Sequence, residues 1–367
     1  MPLFLFALRF AWFQNPQYQS SGGMARVVQT TFPTLMRPPP VDPSKSEIEN
    51  ILELTQLVDI DKNLYTNTRP LWHPPGARGI FGGAVIAQSL AAAQNSVAKD
   101  FTVHSMHCYF VLAGDSDIPI FYHVEDVRSG RSFATRTVQA RQRGKVIFTT
   151  TISFVREGAG GKKLVEHETA MPYVPNPSED GELRLPKGYN SPFESQRIDI
   201  LNNDSPKPET KRTRQWLRAK GKISPHGGHE AHLAALAYIS DSYFIGTVAR
   251  THKLWRIPAG KNKPAHDDPD VLQSLRENGG FQKENKKRRP EVGMMVSLDH
   301  TIYFHDPRGF RVDDWIFTEM ESPWSGDGRG LVYQKMWTKE GKLIASCVQE
   351  GVVRLKQDGG EEVKGKL

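Results

Sequence analysis

The two halves of this 367-residue chain resemble each other, and no other feature of the sequence restricts its fold as much. Tyr109-Phe110 aligns with Tyr303-Phe304 at an offset of 194 positions. Ile120-Phe121 then meets Ile316-Phe317, and Ser129-Gly130 meets Ser325-Gly326, both at 196; Gly144-Lys145 meets Gly341-Lys342 at 197. Each copy reads strand, strand, glycine turn, strand, Gly-Lys turn, strand. The runs PIFYHVEDV, SFATRTVQAR and VIFTTTISFV carry the β-branched and aromatic residues that suit a pleated, half-buried surface. A helix precedes each strand set. In the first copy Gly82-Gly83 opens AVIAQSLAAAQNSV, with Ile86, Leu90, Ala93 and Val97 as its apolar stripe; in the second it is EAHLAALAYISDSYF. One helix followed by four antiparallel strands, twice, predicts an α+β chain with two sheets, each wrapped around a central helix.

Composition shifts set the expected boundaries. Residues 1–46 are rich in Pro, Gln and Ser and read as an irregular extension; 47–157 form the first domain. Residues 158–211 (GAGGKK, MPYVPNPSED, NNDSPKPE) have linker chemistry, with Tyr189 to Leu201 as a stretch able to pack, 212–356 form the second domain, and 357–367 are a polar tail. The helix-to-strand connection of the second copy is about 45 residues longer than that of the first, which places a basic insertion at about 258–291.

Charge and cysteine content exclude several function classes. Against 41 acidic side chains stand 48 basic ones, a net +7, of which +4 sits in KENKKRRP at 283–290 inside the insertion. With no stacking aromatics or DNA-binding motif beside it, the run reads as a solvated loop and no nucleic-acid partner is expected. Two cysteines rule out a disulfide framework and point to a reducing compartment. The apolar start MPLFLFALRFAWF is interrupted by Arg9 and falls short of the roughly 20 residues a membrane span requires. It leaves open a weak organellar leader or initiation at Met24. The last three residues, Gly365-Lys366-Leu367, match the peroxisomal Ser-Lys-Leu address at two positions of three, so a peroxisomal location is expected, with mitochondrion or cytoplasm as alternatives.

Candidate chemistry lies in the second half. Leu233, Ala237, Asp241 and Phe244, spaced four, four and three, put an acid on the apolar stripe of the second helix. Burial and the negative end of the helix dipole both disfavour its charged form, so Asp241 is either a general base of raised pKa or a buried acid paired with Arg or His. In the last strand, IASCVQEGVV, period-two counting groups Ala345, Cys347, Gln349, Gly351 and Val353. Gln349 therefore interrupts a small apolar face, as a structural amide or as a group that orients water. The same counting places Ser297 with Asp299, Thr301 and Tyr303 on a wetter face. His226, His229 and His232 walk around a helix rather than down one face, so no metal is expected. No nucleophile elbow, Walker loop or dinucleotide fingerprint is found, and Cys108 and Cys347 read as core.

These residues sit in motifs that resemble the acyl-CoA thioesterase II family over about residues 47–156 and 212–356: RGIFGGAVIAQSL, VHSMHCYFVLAGD, DVRSGRSFATRTVQARQRGKVIF, AYISD, SLDHTIYFH and VQEGVVR. The resemblance implies a double hotdog fold and hydrolysis of fatty acyl-CoA to free acid and CoA, by direct attack of water and without cofactor. It implies a homo-oligomer, and a catalytic Asp, Ser or Thr, and Gln that fall on Asp241, Ser297 and Gln349. Gly82, Gly83 and His104, which lie in the matching motifs, are expected at the substrate. Two alternatives are a hotdog enoyl-CoA hydratase, whose Asp-x-Asn-Pro-x-His loop is missing, and a non-catalytic acyl-CoA binding module, which has no use for the three polar residues.

Overall fold

The computed structural model describes residues 38–74, 77–178, 191–254 and 290–357. Every element below lies within one compact unit, Pro33–Leu367; Met1–Phe32 lies outside the described residues. Most of the N-terminal extension, nearly all of the basic insertion and the final tripeptide lie outside the described residues.

The first half runs α1 (Glu47–Leu52), β1 (Leu54–Gln56), β2 (Leu64–Asn67), α2 (Gly82–Gln94), β3 (Phe101–Phe110), β4 (Phe121–Ser129), β5 (Phe133–Gln142) and β6 (Lys145–Arg156). The second runs β7 (Phe193–Leu201), β8 (Arg212–Ala219), α3 (Gly228–Ser240), α4 (Gly246–Thr251), β9 (Val292–Ser297), β10 (Asp299–Phe304), β11 (Ile316–Gly326), β12 (Arg329–Thr338) and β13 (Leu343–Leu355). Local chemistry sets several ends. Ser46 and Glu49 form a capping box at α1. Arg143-Gly144 and Asp327-Gly328 take positive φ at both central positions of their turns, the geometry that matches strand twist in a two-residue hairpin.

Six strands from each half join into one sheet in the order β1-β2-β4-β5-β6-β3-β10-β13-β12-β11-β8-β7, with β9 pairing on β13. The halves meet where β3 lies antiparallel to β10, Thr301 opposite His107. Those two residues are also equivalents at the 194 offset, so the local two-fold axis of the duplication passes between them. The fold is a double hotdog. Its helices are buried almost throughout, α2 from Gly83 to Leu90 and α3 from His232 to Ser240, because the sheet wraps them and they pack on each other. A Cβ on Gly83 would come within 2.4 Å of the Tyr238 carbonyl oxygen, so the first turn of α2 presses on the last turn of α3. One core cluster contains side chains of both halves, from Ile48 to Cys347.

Three expectations are corrected. Each half contributes two further strands ahead of its helix, β1 and β2 or β7 and β8; they are short or carry few apolar residues, which hides their period. The 158–211 stretch is not a plain linker. It contains β7, whose Phe193 is buried, and its extended part covers the outer face of the second half of the sheet, with Met171 and Val174 against Trp216, Phe317 and Trp337. There the Trp216 indole donates to the Pro175 carbonyl at 2.9 Å and the Trp337 indole to the Thr169 carbonyl at 3.0 Å. The face of Ser297 is also reversed. Ser297 opposes Gly351, whereas His300 pairs with Gln349 by the alignment of Thr301 with Val348, so one extra residue is inserted at Leu298-Asp299. This bulge puts Ser297 on the helix side, away from Asp299, Thr301 and Tyr303.

Candidate active site

Asp241 is the C-cap of α3 and lies against the start of α2. A Cβ on Gly82 would sit 2.8 Å from its Oδ2, and the Gly83 backbone N–H donates to the carboxylate. Glycine at both positions lets the positive end of α2 approach the acid. Desolvation raises the Asp241 pKa to about 7, with the Gln349 and Gly83 hydrogen bonds acting in the opposite sense. The residue as a whole keeps partial exposure, while its carboxyl is poorly hydrated. Two residues further on, Tyr243 holds φ +61°, a conformation uncommon for a side chain of its size, where the chain turns sharply from α3 towards α4.

The fully buried Gln349 donates its Nε2 hydrogens to Asp241 Oδ1 at 2.7 Å and towards His300 Nδ1 at 3.3 Å. Its Oε1 is buried with no partner among the described residues. Ser297, opposite Gly351, is the diagonal neighbour of Gln349 on the same sheet face. In a regular ladder the Cα atoms of such neighbours lie about 7–8 Å apart. Asp241 and Gln349 are therefore brought into contact, with Ser297 beside them. The side chains of Phe110 and Ile245 line the same region, Phe110 against Gly82 and Ile245 against Gly351.

Gly82 and Gly83 border this cluster, but the Gly83 amide is already committed to Asp241. His104 is not brought to it. At a bulge in β3, His104 Nε2 bonds Ser153 Oγ at 2.8 Å and its ring packs edge-on against the exposed Phe133, on the outer face of the sheet. His300 is the residue that periodicity did not single out. It is fully buried, its pKa pushed down to about 3 by desolvation, and its Nε2 lies 3.0 Å from Ser240 Oγ. A signal for it was available in the duplication, because its first-half equivalent is Met106.

The same comparison accounts for the lack of such a cluster among the described residues of the first half. Asp241, Ser297, His300 and Gln349 correspond in the first half to Asn95, Val103, Met106 and Ile152, by helix register and strand pairing. At that end of α2 a buried arginine stands instead. Arg136 donates to Ser96 Oγ at 2.9 Å, to the Ser96 carbonyl at 3.0 Å and to Asp126 Oδ1 at 2.8 Å, closing the helix end. Of the three histidines in the HGGHEAH run, His232 accepts from the Val312 N–H at 3.1 Å and is pushed down to about 4 by desolvation, the state of a neutral structural acceptor. It borders a cavity of about 660 Å³ at the opposite end of α3, a helix length of roughly 20 Å from Asp241.

The double hotdog carries, among its described residues, one acid–amide pair at the junction of its helices. Residues 69–155 match the acyl-CoA thioesterase N-terminal domain, and residues 168–353 match the acyl-CoA thioesterase C-terminal domain. The chain is 35% identical over 344 residues to acyl-coenzyme A thioesterase 8 of Homo sapiens, covering 88% of this chain and 93% of that one. It is 25% identical over 374 residues to the peroxisomal acyl-coenzyme A thioester hydrolase 1 of Saccharomyces cerevisiae, covering 84% and 96%. A crystal structure of an acyl-CoA thioesterase II from Mycobacterium marinum superposes with a TM-score of 0.60 at 30% identity, covering 86% of this chain and 99% of the other. The chain belongs to the acyl-CoA thioesterase II family and is an acyl-CoA thioester hydrolase.

Proposed function

We propose that this enzyme hydrolyses fatty acyl-CoA by direct attack of water on the thioester carbonyl, with Asp241 as the base and Ser297 and Gln349 holding the water. The observation that carries this reading is the 2.7 Å Gln349–Asp241 contact at a carboxyl whose pKa lies near neutrality. A base of that pKa is half ionised at neutral pH and strong enough to take the water proton; such a group contributes roughly 10²–10⁴-fold. Ser297 and Gln349 fix the water in line, which lowers the entropic part of the barrier. Negative charge developing on the carbonyl oxygen is met by the first-turn amides of α2, Gly82 included, at the positive end of that helix. Thiolate leaves readily, so no strong acid is required. The acyl chain lies along the partly exposed apolar side chains of Phe81, Phe110 and Ile245.

The decisive assay incubates purified protein with palmitoyl-CoA and quantifies released CoA chromatographically. Wild type releases CoA; Asp241→Asn, with unchanged circular dichroism, does not. Turnover by that variant at near wild-type rate would sink the assignment. An acyl group found on Ser297 by mass spectrometry would replace direct attack with a covalent route.

A homo-oligomer is supported by the outer sheet face, where Tyr109, Tyr303 and Tyr333 stand exposed near the β3–β10 junction. Light scattering with size exclusion should give a multiple of 41.3 kDa, and a monomer at micromolar concentration would refute it. A peroxisomal location is supported by the compartment in the name of the yeast relative, and imaging of an N-terminally tagged chain decides it.

A further inference from the structure

His300 and Ser240 form a hydrogen-bond chain behind Gln349 whose direction is fixed by counting protons. Ser240 Oγ has one hydrogen and three close neighbours: the Ala237 carbonyl at 2.9 Å, His300 Nε2 at 3.0 Å, and the Cys347 thiol, which brings a hydrogen of its own. A carbonyl cannot donate, and the Asp241 amide turns to Ile239 rather than to Ala237, which leaves the Ala237 carbonyl to the Ser240 hydroxyl. His300 Nε2 must then carry the imidazole proton. Full burial, with no carboxylate among its bonded neighbours, keeps the ring neutral, so Nδ1 is an acceptor. The atom of Gln349 that faces Nδ1 at 3.3 Å is consequently the amide nitrogen, and its second hydrogen goes to Asp241.

We infer that His300 is a positioning residue that locks the Gln349 amide in one orientation, so that Gln349 presents its carbonyl oxygen, and no donor, to the reacting water. This rests on the proposed function above and specifies it. Both N–H groups of Gln349 are consumed and its buried Oε1 is left without a protein partner among the described residues. Gln349 therefore accepts a hydrogen bond from the water and cannot serve as an oxyanion donor. The reversed amide would set Oε1 against both the Asp241 carboxylate and the Nδ1 lone pair, which the His300 tautomer forbids. The duplication supplies the contrast: the first half has Met106 and Ile152 at the equivalent strand pair, where no amide needs orienting.

Two variants separate positioning from packing. In His300→Asn the side-chain oxygen takes the place of the Nδ1 acceptor; in His300→Gln the longer amide reaches Ser240 instead and leaves Gln349 unheld. The expectation is near wild-type kcat for His300→Asn. For His300→Gln, kcat should fall about 10²-fold at little-changed KM, the scale of a misplacement near 1 Å. The acid limb of the kcat/KM profile should also rise by about one pH unit in His300→Gln, because Asp241 loses a hydrogen bond to its charged form. Equal activity and equal acid limbs in the two variants would overturn the inference. If neither variant folds, nitrogen NMR of the histidine-labelled wild-type enzyme decides. The His300 proton should reside on Nε2 from pH 5 to 9, and a proton on Nδ1 or a titrating ring would overturn it. Persistent turnover by Asp241→Asn strikes the assignment of the base alone, and leaves the tautomer measurement to judge His300.

Discussion

Replacing Asp241 by Asn should remove activity and, above neutral pH, strengthen the fold. The Asp241 pKa is raised from 3.8 to about 7 by desolvation. Because the folded value lies above the unfolded one, the acid favours the folded state most below about pH 4. That advantage disappears as pH rises through 7, where the buried carboxylate must ionise. A rise of that size corresponds to at most about 4 kcal/mol, and partial exposure of the residue reduces it. Asparagine at 241 avoids ionisation, so the variant should gain about 1–3 kcal/mol on wild type at pH 8 and nothing at pH 3, a few degrees of Tm. Activity moves the other way: wild-type kcat/KM should rise about tenfold between pH 6 and 8, with an inflection near 7, and Asp241→Asn should lie at least about 10²-fold lower without that inflection. Calorimetry at the two pH values and chromatographic measurement of CoA test both halves. A Tm difference independent of pH would refute the buried-charge argument. A flat wild-type profile between pH 5 and 8 would refute the role of the base.

Three more outcomes follow from the geometry. Gly83→Ala would place a Cβ 2.4 Å from the Tyr238 carbonyl oxygen and push α2 from α3, so it should cost about 1–3 kcal/mol in a denaturant titration and reduce turnover as the amide donor leaves Asp241. Ser297→Ala should lower kcat with little change in KM while Ser297→Thr, which restores a hydroxyl, recovers most of it; equal loss in both points to packing. Arg136→Leu leaves the Ser96 groups without their partner, so a melting experiment should show about 1–3 kcal/mol lost while kcat/KM holds, since the residue serves the half without the acid–amide pair.

Much of the fold was legible because burial imposes period. Ala345, Cys347, Gln349 and Gly351 alternate as a half-buried strand must, and Gln349 stood out as the wrong polarity for its face. Asp241 was visible for the same reason, an acid placed on a helical stripe. Reading a stripe, however, understated its surroundings, since α3 is enclosed on every side and Asp241 ends the helix rather than lying within it. Ser297 was misplaced because counting by twos fails at a bulge, and nothing in Leu298-Asp299 announces the extra residue. His300 went unnoticed because histidine fits a wet strand as easily as a buried network. His104 was placed at the substrate because it lies in a matching motif, but motif membership carries no information about which sheet face a residue takes.

By itself the chain order determined the duplication, the two wrapped helices and the identity of the polar residues available for chemistry, because all of these are written in local periodicity and in comparison of one half with the other. Only the tertiary structure decided which of them meet. The helix packing that brings Gly83 to Asp241, the β3–β10 junction that merges two sheets and the bulge that turns Ser297 inward are contacts between residues far apart in sequence. Their geometry depends on how elements pack against one another, and a pattern of neighbours along the chain does not encode it.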